Sequence, residues 1–227
     1  MHEYVKDECV ELVRSDDLNT KSFNGNRWFF PKNVPWNQVE PLALHKIQLM
    51  KVYIDHPRKF ERRGVIYDDY GEMLVEDALI KTGYVVVSKN SHYFNGKEYH
   101  QDEPRTRARK RDLDYIVYER SKDVYIGIQV KNRLEYPRMD DVHLLLDLCN
   151  TLDLFPVLVT RLSHPRIYAI FEGIKGEVMQ TKRYFLQPPF PRDKYEQINT
   201  ELRIPLGVYQ WVPNFLLHNF EILKQKL

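Results

Sequence analysis

The sequence predicts an α/β fold in which helices flank a mixed central β-sheet. Helical periodicity runs from about Asp69 to Gly83, two β-rich segments separated by a hairpin-length turn follow, and a second helical pattern then leads into an apolar run. The segments after the first helix are 84–87, 112–118 and 124–131 as strands, 139–152 as a helix and 155–160 as a strand. This order of helices and strands is typical of an α/β core with a mixed sheet.

Composition excludes several classes of protein. The chain has 227 residues, of which 43% are hydrophobic and 29% are charged, and it contains no uninterrupted apolar run near the roughly 20 residues that cross a bilayer. The first residues, Met1 to Val13, are acidic and lack the basic start and apolar stretch of a secretion signal. Cys9 and Cys149 are too few for a disulfide framework or a cysteine-based zinc site. We therefore expect a cytoplasmic protein with reduced thiols and no membrane partner.

The basic residues are unevenly placed. A net charge of +2 does not by itself indicate nucleic-acid binding. One basic cluster precedes a predicted strand and consists of Arg105, Arg107, Arg109, Lys110 and Arg111. A second consists of Arg58, Lys59, Arg62 and Arg63. Runs of this kind are usually solvated surface, and contact with phosphate is the alternative for both clusters.

The N-terminal segment to about Lys32 is hard to place, though Val10, Leu12 and Val13 could seed a short helix. After Pro35, apolar residues recur at helical spacing up to a predicted end before Pro57, at Val39, Ala43, Ile47, Met50 and Ile54.

The helix from about Asp69 to Gly83 is the most regular in the sequence. Acidic residues occupy its first turns, where the helix dipole favours them, and Gly83 provides a C-terminal stop. Its apolar stripe consists of Leu74, Val75, Ala78 and Leu79. A short strand from Tyr84 to Val87 follows, and then a long polar loop that contains Asn90, Asn95, Gly96 and Pro104.

The next two strands, 112–118 and 124–131, are joined by the polar turn 119–123 and should pair antiparallel. If Tyr118 lies near Val124, counting back places Asp114 close to Ile128 or Gln129. Alternation of side chains puts Gln129 and Lys131 on one face of their strand. A carboxylate, an amide and an ammonium group are therefore expected to converge at one end of this hairpin.

Beyond Pro137 the sequence predicts a helix, two strands and a last helix. The helix, 139–152, has an apolar side formed by Val142, Leu145, Leu146 and Cys149. Residues 155–160 should form a buried strand and Arg166 to Phe171 another, while Pro188, Pro189 and Pro191 interrupt regular structure beyond them. The last helix follows Pro213, with Leu216, Phe220, Leu223 and Leu227 along one side. That side is expected in the core, and a homodimer contact is the alternative.

Metal-assisted phosphodiester hydrolysis needs hard oxygen ligands for the cation and a positive group near the attacked phosphate. Asp114 and Lys131 could supply them. Asp114-Tyr-Ile-Val followed by Ile128-Gln-Val-Lys131, with Glu72 on the preceding helix, resembles the PD-(D/E)xK nuclease superfamily in its Gln-x-Lys form. Mrr-type restriction enzymes and archaeal Holliday-junction resolvases are similar in having a helix glutamate eleven residues before a Gly-aromatic pair, here Glu72 and Gly83-Tyr84. The likeness covers about Tyr70 to Thr160.

The resemblance implies a restriction-endonuclease-like core, a Mg²⁺ or Mn²⁺ cofactor and a DNA substrate. Asp114 would be the bridging metal ligand, Gln129 would contribute its side-chain oxygen, and Glu72 would bind the metal directly or through water. The Val130 carbonyl is a further implied ligand, and Lys131 would orient the attacking water. The sequence departs from the family in lacking a proline just before Asp114 and in having neutral Gln129 where many relatives have Glu, which lowers the negative charge of the site.

The resemblance also implies a division of the chain into an N-terminal helical extension at 1–65, a nuclease core at 66–172 and a C-terminal extension at 173–227. The predicted DNA-backbone contacts are the cluster Arg105, Arg107, Arg109, Lys110 and Arg111, together with Arg133 beyond the hairpin. We expect metal-dependent endonuclease activity in restriction, recombination, repair or transposition.

Several alternatives stay open. Glu76 could replace Glu72 as the helix ligand, and Asp112 is expected to support the site from outside or to lie on the surface. His92 and His100 are expected on the surface or facing DNA, and a zinc site is the alternative. The hairpin residues could instead be the wet face of an ordinary sheet. At the level of function, the rivals are a nucleic-acid-binding protein that retains the fold without catalysis and a structural protein of a mobile element.

Overall fold

The fold is described from a computed structural model, which covers residues 3–61, 68–99, 112–133 and 136–227. Helix α1 (Glu3–Arg14) leads into a hairpin of strands β1 (Leu18–Phe23) and β2 (Asn26–Pro31), and helix α2 (Trp36–Glu61) follows. The predicted short N-terminal helix is confirmed, whereas the hairpin was not predicted. The predicted end of α2 before Pro57 is wrong, because the missing N–H of that proline removes one donor from the helix without ending it.

The central elements follow in a regular order. They are helix α3 (Asp68–Lys81), strand β3 (Val85–Ser91), the short strands β4 (Tyr93–Phe94) and β5 (Lys97–Glu98), strands β6 (Leu113–Glu119) and β7 (Val124–Lys131), helix α4 (Met139–Leu152), strand β8 (Phe155–Thr160), helix α5 (Pro165–Gly173) and strand β9 (Glu177–Gln180). Five of these strands form one sheet in the order β3-β6-β7-β8-β9. The β3–β6 and β6–β7 pairs are antiparallel, whereas β7–β8 and β8–β9 are parallel. The predicted α/β class with a mixed central sheet is confirmed.

Helices cover both faces of this sheet. The stripe of α3, from Leu74 to Leu79, is buried as predicted, in one cluster with residues of β6 and β7. The apolar side of α4 is buried in a second cluster, although Leu146 is only partly buried there. Gly83 adopts a φ of +83°, a conformation that glycine enters without strain, and so ends α3 as predicted.

The predicted strand from Arg166 to Phe171 is wrong, since these residues lie in α5. Pro165 occupies the first turn, where its missing N–H costs nothing, and the ring nitrogen Nδ1 of His164 accepts a hydrogen bond from the backbone N–H of Arg166 at 3.1 Å. Ile167 and Phe171, one helical turn apart, are the two buried residues of the helix. The next sheet strand is β9 instead.

The C-terminal part contains strand β10 (Tyr184–Leu186), helix α6 (Arg192–Glu201), strand β11 (Leu206–Val208) and helix α7 (Asn214–Lys226). Strands β10 and β11 pair in parallel as a separate two-stranded sheet. In α7, Leu216, Phe220 and Leu223 are buried in the same cluster as α3, so the expected core role of this side is confirmed. None of the helices within the described ranges combines the length and apolar character needed to cross a membrane.

Candidate active site

Asp114 lies beside Gln129 at one end of the β6–β7 hairpin. The backbone pairs Tyr118 with Tyr125 and Tyr115 with Ile128, one residue away from the pairing assumed from the sequence. Oδ2 of Asp114 accepts a hydrogen bond from Nε2 of Gln129 at 2.5 Å and another from the backbone N–H of Val130 at 2.6 Å. The contact expected between Asp114 and the region of Ile128 and Gln129 is therefore present.

Burial makes this contact energetically significant. The exposed fraction is 2% for Asp114 and 7% for Gln129. A buried carboxylate is costly unless hydrogen bonds or a cation compensate for its lost hydration. The amide of Gln129 and the N–H of Val130 provide part of this compensation and hold the Asp114 carboxylate at the strand end.

Lys131 is the last residue of β7 and is partly exposed. Alternation places Lys131 on the same face of β7 as Gln129 and Gly127. This face is the one that α4 covers, since a Cβ added at Gly127 would lie 2.5 Å from Sγ of Cys149 in α4. Within the described residues, the side chain of Lys131 forms no ion pair or hydrogen bond. The ammonium group is therefore available to a ligand at this edge. A small depression beside it is lined by Lys131, Arg133, Tyr136, Pro137, Arg138 and Asp141.

Glu72 lies in the first turns of α3 and is partly buried. Its neighbour Gly71 packs so tightly on the residue after Lys131 that a Cβ there would lie 2.6 Å from Cβ of Asn132. The start of α3 thus reaches the same strand end as Asp114 and Lys131. Glu76, the alternative ligand, forms an ion pair with Lys89 instead.

Val130 turns its side chain into the core cluster that contains α3. Its N–H is used by Asp114. The Val130 carbonyl stays a predicted ligand.

Asn132 is a residue that the sequence reasoning missed. Its side chain, 9% exposed, donates from Nδ2 to the carbonyl oxygen of Phe185 at 2.9 Å and accepts from the N–H of Phe185 at 2.9 Å through Oδ1. This reciprocal pair fixes the end of β7 to β10. An amide side chain directly after a buried strand was the available signal, because buried polar groups require partners.

His92 and His100 were the residues considered for a zinc site. Nδ1 of His92 lies 2.9 Å from Oδ1 of Asp112, and Nε2 of His92 lies 3.5 Å from Oε1 of Glu98. Both ring nitrogens therefore face carboxylates, and Asp112 is occupied at the surface, two residues before Asp114. His100 lies outside the described residues. Among the described side chains, no three or more of the types His, Cys, Asp and Glu form a cluster suited to a metal ion.

Most of the predicted phosphate contacts cannot be placed. Arg105, Arg107, Arg109, Lys110 and Arg111 lie outside the described residues, as do Arg62 and Arg63 of the second cluster. Arg133 is described, and it is exposed in the depression next to Lys131. Arg138 in the same depression was not predicted, because it stands alone between Pro137 and the helix rather than in a basic run.

The donor set at the strand end has the chemistry that Mg²⁺ and Mn²⁺ prefer. Asp114 and Glu72 offer carboxylates, and Gln129 and Val130 offer neutral oxygens. The carbonyl oxygen of Gln129 would have to turn toward the cation, because its amide nitrogen faces Asp114. These residue types fit a divalent cation after that rotation.

No protein-family model, curated protein or solved structure matches the chain.

Proposed function

We propose that the protein is a divalent-metal-dependent endonuclease that hydrolyses DNA phosphodiester bonds, with Glu72, Asp114, Gln129 and Lys131 as its catalytic residues. The observation that carries the proposal is the buried Asp114–Gln129 pair at the end of the strand that presents Lys131 on the same face. Burying polar groups such as Asp114 and Gln129 costs folding free energy, and an ordinary solvent-facing hairpin would not need to bury them. A catalytic role together with Lys131 would account for their burial.

Asp114 and Glu72 would hold the cation, together with the side-chain oxygen of Gln129 and the carbonyl of Val130. Bound there, Mg²⁺ or Mn²⁺ would neutralise charge on the phosphate and lower the pKa of a coordinated water. Lys131 would orient the attacking water and stabilise the negative charge that develops on the phosphate in the transition state. The hydrogen bond from the N–H of Val130 would hold the Asp114 carboxylate in position if the Gln129 amide turned.

A second candidate function is nucleic-acid binding without catalysis. The observation that favours it is the orientation of Gln129, whose amide nitrogen rather than oxygen faces Asp114. If this hydrogen bond persists in the presence of metal ions, Asp114 and Gln129 form a neutralised structural pair and the surrounding lysine and arginines serve binding only.

Cleavage assays separate the two functions. The full-length protein is incubated with supercoiled plasmid, branched DNA and RNA in Mg²⁺ or Mn²⁺, beside Lys131→Ala. The matched control is Lys122→Ala, which removes an exposed lysine from the turn at the other end of the same hairpin. Metal-dependent cleavage of DNA that Lys131→Ala loses and Lys122→Ala keeps supports the nuclease. Binding of DNA with no cleavage under any metal condition supports the binding protein.

A further inference from the structure

The edge of the sheet beside the candidate active site is basic well beyond the active-site strand. Strands β7, β8 and β9 are parallel, so their carboxyl ends meet at one edge. Each of the three strands ends in a basic residue or is followed by one there. These are Lys131 and Arg133 at β7, Arg161 at β8, and Lys182 and Arg183 at β9.

Backbone hydrogen bonds hold these strand ends in one row. Thr160, the last residue of β8, pairs with Lys131 on one side and with Gln180 on the other. Beyond the strands, the N–H of Thr181 donates to the carbonyl oxygen of Thr160 at 2.8 Å, and the N–H of Lys182 donates to the carbonyl oxygen of Arg161 at 3.0 Å. The backbone positions of the row are therefore set by the sheet.

The side chains of this row differ in exposure. Arg161 is partly buried, and burial lowers the pKa of its guanidinium while nearby Tyr136 opposes that effect. Arg183 faces the hydroxyl of Tyr209. Lys182 and Arg138 are exposed, and the side chain of Arg138 makes no capping hydrogen bond to α4. Among the described residues, the carboxylates near this row are Asp140 and Asp141 in the first turn of α4 and Asp114 and Glu72 of the candidate site, so the basic residues of the row outnumber them.

We propose that this edge, from Arg138 beside Lys131 to Lys182 at the end of β9, is a track for the phosphate backbone of the DNA on the β9 side of the cleavage site. The inference rests on the proposed nuclease function for the identity of its partner, because it assigns the direction in which the bound DNA leaves Lys131.

The dimensions of the row fit a short run of phosphates. Neighbouring strands lie about 4.8 Å apart, so the ends of β7 and β9 are separated by roughly 10 Å. Phosphates along one strand of duplex DNA advance by about 3.4 Å each along the helix axis. The row is therefore long enough to contact about two phosphates of one strand, with Arg138 near one end and Lys182 near the other.

The test compares equal charge changes at opposite edges of the same sheet. The track variant is Arg138→Gln with Lys182→Gln. The control variant is Lys122→Gln with Lys175→Gln, which removes two exposed lysines before β7 and β9. Lys175 and Lys182 are matched further by their positive φ values of 58° and 56°. Binding of a fluorescein-labelled DNA duplex to the full-length chain is measured by anisotropy in EDTA at several salt concentrations.

The track variant is expected to bind DNA about 10-fold or more weakly at low salt and to lose nearly two units of the log-log salt slope, about 0.9 per phosphate contact. The control variant should bind as the wild type does. Equal losses in both variants, or no loss in the track variant, would overturn the track. Cleavage by the wild type in Mg²⁺ is scored separately. If the wild type cleaves DNA and the track variant binds DNA as the wild type does, only the track is overturned. If the track variant binds DNA more weakly and the wild type does not cleave, only the nuclease function is overturned.

Discussion

The side-chain amide of Gln129 donates to Oδ2 of Asp114 at 2.5 Å, inside a site where both residues are almost completely buried. The pair therefore stabilises itself without a cation. A metal ion that binds both residues through oxygen has to replace this hydrogen bond, so the cost of turning the amide opposes binding. We expect the site to hold a divalent ion loosely until the phosphate of the substrate adds its own oxygens.

Replacing Gln129 with Glu is expected to raise the affinity for Mn²⁺ measured without DNA. The change keeps an oxygen at the same reach, adds one negative charge and replaces the donor that now satisfies Asp114 with a repelling acceptor. Gln129→Ala should lower the affinity and slow cleavage. Calorimetric titration of Mn²⁺ into the three proteins, with folding followed by circular dichroism, measures the effect. Equal affinities would mean that residue 129 takes no part in metal binding.

Lys131→Ala is expected to reduce cleavage about 100-fold or more, equivalent to about 2.7 kcal/mol of transition-state stabilisation. Because Lys131 is partly exposed and makes no described ion pair, its loss should leave the melting temperature close to that of the wild type. Single-turnover rates with plasmid DNA and thermal melts provide the two readouts. Near-normal cleavage would exclude Lys131 from catalysis.

Asp114→Ala should abolish metal-dependent cleavage as well, but it also leaves the N–H of Val130 without its acceptor. An unsatisfied buried donor costs about 1–3 kcal/mol, so some loss of stability is expected. Asp114→Asn keeps an acceptor oxygen and removes the charge. Its cleavage should be lost with a smaller change in melting temperature, and cleavage retained in Asp114→Asn would contradict a role as metal ligand.

Neutralising Arg105, Arg107 and Arg109 tests the basic segment that leads into β6. If it holds the phosphate backbone, binding should weaken similarly for unrelated DNA sequences, and the log-log salt slope should flatten by nearly one unit per lost contact. Anisotropy titrations at several salt concentrations give both quantities. An unchanged affinity and slope would identify the segment as a solvated surface run.

Gly71→Ala should destabilise the protein by about 1–3 kcal/mol, the usual cost of adding a methyl group to a tightly packed contact. Its Cβ would lie 2.6 Å from Cβ of Asn132 and push the start of α3 away from the end of β7. Gly173→Ala is the control, because a Cβ there meets nothing within 4 Å. Urea unfolding of both variants measures the difference, and equal midpoints would show that the α3–β7 contact yields without cost.

Strong local periodicity made parts of the fold predictable to the residue. Helix α4 and strand β8 begin and end where the sequence predicted, because each carries a clear apolar pattern and lies beside a turn. The α5 segment misled because Ile167-Tyr-Ala-Ile-Phe171 is rich in residues that favour strands. The cap at His164 and Pro165 decided the outcome, and both signals were readable.

Other elements were missed for different reasons. The β1–β2 and β4–β5 hairpins turn at Asn24-Gly25 and Asn95-Gly96, where all four residues have positive φ. Asn-Gly is the strongest short hairpin signal, so both turns could have been predicted. Strands β10 and β11 are three residues each and pair across α6, which no local pattern reveals.

The candidate site, like the fold, could be predicted from the sequence only in part. Strand alternation and an approximate hairpin register placed Asp114 near Ile128 or Gln129, and the structure places it beside Gln129. The position of Asn132 directly after a buried strand was a signal that it needs a partner, but the partner could not be derived, since Phe185 is distant in the sequence and belongs to a strand that was not predicted. Basic residues spread singly over three strand ends also escape a search for runs, as Arg138 and Lys182 illustrate.

The pairing of Asn132 with Phe185 can form only late in the synthesis of the chain. Asn132 leaves the ribosome 53 residues before its partner. A nascent chain that ends before Phe185 already contains Asp114, Gln129 and Lys131. Its Asn132 side chain, at the end of β7, still lacks the backbone groups with which it pairs. A product terminated between these two points would therefore contain Asp114, Gln129 and Lys131 but would lack the two hydrogen bonds that tie the end of β7 to β10.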